Sequence, residues 1–158
     1  MNSKFQYEVR KAKPEEWEDA MALAWRTFKK FEAHEYSPEG VKNFLDFISD
    51  NALRKMFLIH EYCLWVALDG NQIVGLISLR SGKFISLLFV DEKYHRQGVG
   101  RALMEEAWNY LREKKVPFCT VNSSPYAIEF YHRLGFRDIG PERVEAGMRI
   151  TPMRKDLF

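Results

Sequence analysis

The sequence is poor in the features that mark special environments. Only two cysteines, Cys63 and Cys119, occur in 158 residues. Each sits in an apolar run of strand character, which suits a small buried hydrophobe better than a disulfide or a metal pair. The four histidines, His34, His60, His95 and His132, show neither helical ligand spacing nor partner cysteines, so no metal site is expected. No apolar run approaches the length that spans a bilayer, and residues 1–9 lack the basic stretch and apolar core of a signal peptide. A cytoplasmic chain without membrane attachment is expected. Charge of one sign is missing too: 24 basic against 22 acidic side chains leave +2, too weak a field to point to nucleic acid. There is no Gly/Ser/Pro-rich linker, charge block or internal repeat. Residues 1–158 therefore read as a single domain, long enough to bury a core without staples.

What is present is periodic. Apolar and polar residues alternate over residues 5–13, as in a strand covered on one face, and Pro14 with Glu15 and Glu16 suits the first turn of a helix that runs to about Phe31. Trp17, Trp25, Phe28 and Phe31 lie on that helix as core or pocket wall. Residues 34–40 break it. Ser37 is placed to cap a second helix with Pro38 in its first turn and Val41, Phe44, Leu45 and Ile48 on its apolar face. Three strands follow at 62–68, 72–79 and 84–90, joined by the turns Asp69-Gly70-Asn71 and Ser81-Gly82-Lys83, an antiparallel meander. A helix over 98–115 carries Val99, Leu103, Ala107 and Leu111 on one face and leads to a strand at 118–122, a strand-helix-strand order that implies a parallel crossover. A helix over 125–134 and strands near 136–139 and 149–156 complete a mixed α+β fold, its mostly antiparallel sheet flanked by helices.

The chemistry concentrates between residues 88 and 103, where an apolar strand passes through a polar loop into a helix. Gly98 and Gly100 fall at the helix start. Free backbone N–H groups and the positive helix end make an anion site there, and a glycine lets a phosphate approach where a Cβ would obstruct it. The loop lacks the Gly-Lys-Ser/Thr ending of a nucleotide P-loop and the third glycine of a dinucleotide turn. No Gly-x-Ser-x-Gly elbow supports a hydrolase triad.

The run His95-Arg96-Gln97-Gly98-Val99-Gly100 resembles the acyl-CoA loop of the GNAT superfamily, with His95 where that pattern has Gln or Arg. The block from Asn122 to Phe136 resembles its second signature, Asn-x-x-Ala-x-x-Phe-Tyr followed by Gly-Phe: Ala127, Phe130, Tyr131, Gly135 and Phe136 match, and Ser124 stands at the Asn position. The resemblance implies a fold whose two central parallel strands splay to admit the pantetheine arm of acetyl-CoA, the acyl donor. It implies donor contacts from Leu88, Phe89, Val90, His95, Arg96, Gln97, Gly98, Val99, Gly100, Arg101, Asn122, Ser124, Ala127, Phe130 and Tyr131. It also implies direct attack by a primary amine, an oxyanion donor near Leu88, and Tyr131 as the acid protonating the thiolate; a phenol, with a pKa of about 10, holds its proton at neutral pH. A base is needed for the amine. Glu32, His34 and Glu35 lie at the break between the first two helices, where relatives build the acceptor pocket, and Glu35 is the residue assigned. The mixed charge near Glu32, His34, Glu35 and Glu39 points to a cationic acceptor. A catalytically silent CoA-binding sensory module is the alternative, and a noncatalytic partner-binding protein a third reading. The acceptor is not specified, and a homodimer stays open.

Overall fold

The computed structural model describes residues 6–158, so Phe5, the start of the first expected strand, lies outside the described residues. The elements follow the order β1 (Glu8–Lys11), α1 (Trp17–Phe31), α2 (Pro38–Ile48), α3 (Asn51–Leu58), β2 (Cys63–Asp69), β3 (Gln72–Arg80), β4 (Phe84–Val90), α4 (Val99–Glu113), β5 (Phe118–Ser123), α5 (Ile128–Arg133), β6 (Arg137–Asp138), β7 (Arg143–Glu145) and β8 (Met148–Asp156). Single 3-10 turns at Pro14–Glu16 and Pro125–Ala127 lead into α1 and α5, so the expected helix starts hold with a tighter first turn. At α2 the Ser37 hydroxyl accepts from the Gly40 N–H at 3.1 Å, the expected cap. Two elements go beyond the expectation. Asp50 caps the short helix α3, accepting from the Ala52 N–H at 2.8 Å, and β7 pairs with β8 as a hairpin.

The strands form one mixed sheet in the order β1-β2-β3-β4-β5-β8-β6, with β7 on the edge of β8. Among the described residues only β4 and β5 run parallel; the other pairs are antiparallel. Helices cover both faces. On one side α1, α2 and α3 bury Phe28, Phe44, Ile48 and Phe57 against Leu64, Val66, Leu76, Leu87 and Phe89. On the other, α4 lays Val99, Leu103, Ala107 and Leu111 on Trp65, Val74, Ile77 and Ile85. Adjacent β2 residues thus enter opposite cores, as the period-two pleat requires. The predicted α4 stripe is the buried face, with Leu103 and Leu111 fully enclosed.

The central opening has a local cause. Phe84 and Ile85 pair with Thr120 and Val121, and the β4–β5 ladder then stops. On the opposite edge of β4 the register with β3 slips at the same point: Leu79 faces Ile85 while Ser78 faces Leu87, leaving Ser86 unpaired. Such a bulge bends and twists its strand. It turns β4 away from β5 past Ile85, and it moves the next buried side chains, Leu87 and Phe89, to the α1 face. Among the described residues no helix is long and apolar enough to cross a membrane.

Candidate functional site

Where β4 and β5 part, a cavity of about 390 Å³ is lined by Arg80 at the end of β3, β4 from Phe84 to Phe89, residues 121–124, Ala127 and Tyr131, the end of α1 with Tyr36, part of α2, and the β7–β8 hairpin. Three elements fix its walls. Helix α1 is tied to the loop after β4 by Arg26 on Asp91 at 2.9 Å and by Lys30 with Glu92. The β7–β8 turn is pinned to α2: the Ser37 N–H and hydroxyl both donate to the Gly147 carbonyl, and the Asn43 amide donates to the Ala146 carbonyl. Finally, the Phe31 ring lies between His95 at 5.0 Å and Tyr126 at 5.3 Å, linking the loop after β4 to the segment after β5.

The helix start at α4 has the backbone of an anion site. Gly98 is its N-cap in the left-handed region, φ 80°, a conformation glycine adopts without Cβ strain. The first intrahelical bond runs from the Ala102 N–H to the Gly98 carbonyl at 3.0 Å, so the N–H groups of Val99, Gly100 and Arg101 precede the ladder and are available to a guest. The side chains divide differently from the expectation. Arg96, also at positive φ, has no hydrogen bond or ion pair among the described residues. His95 turns inward, its Nε2 2.7 Å from the Val90 carbonyl. Gln97 donates to the Lys93 carbonyl and accepts from the Tyr7 hydroxyl. Arg101 pairs with Glu105 one turn on, and Val99 is core. A Cβ on Gly100 would lie 3.1 Å from the Phe130 ring. The close approach of α4 to Phe130 therefore also calls for a glycine here.

The second block contributes several residues to the cavity wall. Asn122, Ser124, Ala127 and Tyr131 line it, together with Leu88 and Phe89 of β4, and Val90 offers its carbonyl to His95. Tyr131 is 5% exposed, its ring held edge-on by Phe130 at 5.4 Å and Phe136 at 5.2 Å. Burial first, and then the nearby Glu32 carboxylate, push its phenol well above the ordinary range. The hydroxyl stays protonated and able to donate.

Two acids line this cavity among the described residues, Glu145 of β7 and Glu32 at the end of α1, and it is Glu32 that stands with Ser124 and Tyr36. Its carboxyl is pushed up to about 7, mainly because it is taken out of water; the neighbouring Glu35 adds to the rise, and a hydrogen bond with Ser124 opposes it. Glu35, the residue singled out from sequence, accepts instead from the Tyr126 N–H at 3.2 Å, a bond that fastens the helix break to the start of α5. His34 is exposed. Tyr36, which the sequence reading passed over, lies beside Ser124 and Glu32 with its phenol raised by burial and by that carboxylate. A larger open depression of about 540 Å³ around Lys11, Trp65 and Tyr110 lies away from the strand gap, and its lysines rest on its aromatic rings.

Residues 32–157 match the acetyltransferase (GNAT) domain family. Among curated proteins the chain is 29% identical over 138 residues to the uncharacterized N-acetyltransferase YafP of Escherichia coli, covering 87% of this chain and 86% of that protein. It is 30% identical over 138 residues to the peptidyl-lysine N-acetyltransferase YjaB of Escherichia coli, with the same coverage. In fold it is similar to the PaiA N-acetyltransferase of Thermoplasma acidophilum in complex with coenzyme A, at TM-score 0.78 and 19% identity over 96% of this chain and 99% of that one.

Proposed function

The chain belongs to the GNAT acetyltransferase family, and from that premise we propose that it transfers an acetyl group from acetyl-CoA to a primary amine by direct attack within the β4–β5 cavity. The observation that carries the reading is the convergence, on one cavity at the strand opening, of a carboxyl held near neutral pKa and a buried phenol held protonated, Glu32 and Tyr131. The two are matched to opposite proton transfers.

In this reading the N–H groups of the first α4 turn hold the pyrophosphate, and the edge of β4 left without a strand partner beyond Ile85 takes the pantetheine arm. Glu32, ionised above about pH 7, accepts the proton that an ammonium acceptor must lose. The amine nitrogen attacks the thioester carbon, a backbone N–H near Leu88 stabilises the oxyanion, the C–S bond breaks, and the Tyr131 hydroxyl protonates the thiolate. Glu35 is a positioning residue, holding the segment that carries Ala127 and Tyr131. The names of the relatives favour a peptide lysine among acceptors.

Calorimetric titration of acetyl-CoA and CoA into the protein, followed by thiol release with lysyl peptides and small amines, tests this. Micromolar binding and amine-dependent thiol release are expected. CoA binding without release with any amine would favour the silent sensory module, and no binding would overturn the reading.

A further inference from the structure

Side chains of both charge signs line the cavity. Its acids are Glu32, with Glu35 close by, and Glu145. Arg80 is the cationic side chain lining it among the described residues. Its guanidinium lies 5.3 Å from the centre of the Phe84 ring and 5.8 Å from that of Phe47, and no carboxylate pairs with it among the described residues. Most arginines on this surface have such a pair, and the cavity's other acid, Glu145, is taken by Arg143. Aromatic faces against a guanidinium leave its edge N–H groups free to bind a planar anion in a two-pronged fashion.

Resting on the acetyl-transfer reading, we propose that Arg80 is an anion subsite and that the acceptor is an amine whose own chain carries a carboxylate. Arg80 pairs across the sheet with Phe84, and Leu88, where the thioester is placed, lies four positions further along β4. At the rise of a regular strand this is at most about 13 Å, which the bulge at Ser86 shortens. Allowing about 3 Å for a guanidinium–carboxylate bond leaves up to roughly 10 Å between amine and carboxylate. An extended ω-amino acid spans this distance, as does a lysine side chain with an acidic residue beside it in a peptide. Glu32 and Arg80 then read the two ends of one dipolar molecule, and the apolar stretch between them meets Phe44, Phe47 and Met148.

The test is thiol release from acetyl-CoA with ω-aminoalkanoates, from 6-aminohexanoate to 9-aminononanoate, each against its amide, and with capped lysyl peptides carrying a neighbouring Glu or Gln. The expected result is a preference for the acid over the amide of about tenfold in kcat/KM, carried by KM and largest at one chain length. In Arg80→Gln the ratio falls to near one; in Arg80→Glu it inverts. Equal rates for acids and amides in the native protein, or a ratio unchanged by Arg80→Gln, would overturn the subsite while leaving acetyl transfer intact. Absence of thiol release with every amine would instead remove the transferase reading and the subsite together.

Discussion

Replacing Glu32 by Gln separates chemistry from fold in one variant. The carboxyl sits near 7, against an ordinary value of 4.5, because folding takes it out of water beside Glu35. A displacement of this size corresponds to roughly 3 kcal/mol between its two protonation states, and the cavity side of the group, which solvent reaches, reduces this to about 1–2 kcal/mol. The sign follows from proton binding. Between about pH 4.5 and 7 the folded protein holds a proton there that the unfolded chain has released, so stability falls as pH rises through that window and levels off above it. Activity runs the other way, because the base works only when ionised, and kcat/KM should rise through about pH 7. Glu32→Gln should therefore gain about 1–2 kcal/mol at pH 8 relative to the native protein, gain much less at pH 5, lose 10²- to 10⁴-fold in kcat/KM, and lose the limb near pH 7. Urea unfolding at the two pH values and a pH–rate profile measure both effects. A Gln variant that keeps the limb near pH 7, or whose stability tracks the native protein's at both pH values, would refute the argument.

Tyr131→Phe should lower kcat about 10²-fold while CoA affinity measured by calorimetry stays within twofold, since only the hydroxyl is removed. Gly98→Val with Gly100→Val should abolish CoA binding by titration: the first forces a branched side chain to φ 80°, and the second drives a Cβ to 3.1 Å from the Phe130 ring. Leu103→Ala, at a fully buried position under the sheet, should cost about 3 kcal/mol and lower Tm by about 10 °C in calorimetric melting.

Much of the donor side was legible because it depends on short-range rules. Glycine at a helix start, alternating strands with turn residues between them, and an apolar stripe four apart on α4 each follow from backbone sterics and burial. The acceptor side was not. Glu32, His34 and Glu35 are equivalent polar residues in a helix break until the chain is folded, and nothing local states that Glu35 turns to the Tyr126 N–H while Glu32 faces the cavity. His95 and Gln97 stand where donors to a phosphate are expected, yet their side chains bond the neighbouring backbone at Val90 and Lys93. Gly100 reads from sequence as clearance for a phosphate, whereas the Phe130 ring that also leaves no room for a Cβ there belongs to a residue thirty positions away.

The sequence by itself determined the α+β class, the order of the elements other than α3 and β7, the helix start at Gly98 and the placement of Tyr131 in the block after β5, because each is written in periodicity or in spacing along the chain. Only the tertiary structure decided where the sheet opens, which acid loses its water and which cation shares the cavity with it. The opening needs a bulge at Ser86, where β4 slips against β3 as its pairing with β5 ends. The raised carboxyl needs Glu32 taken out of water by the segments that close around it, with Glu35 beside it, against the opposing hydrogen bond from Ser124. A shifted pKa and a strand gap are properties of what surrounds a residue, and those surroundings exist only after distant parts of the chain have met.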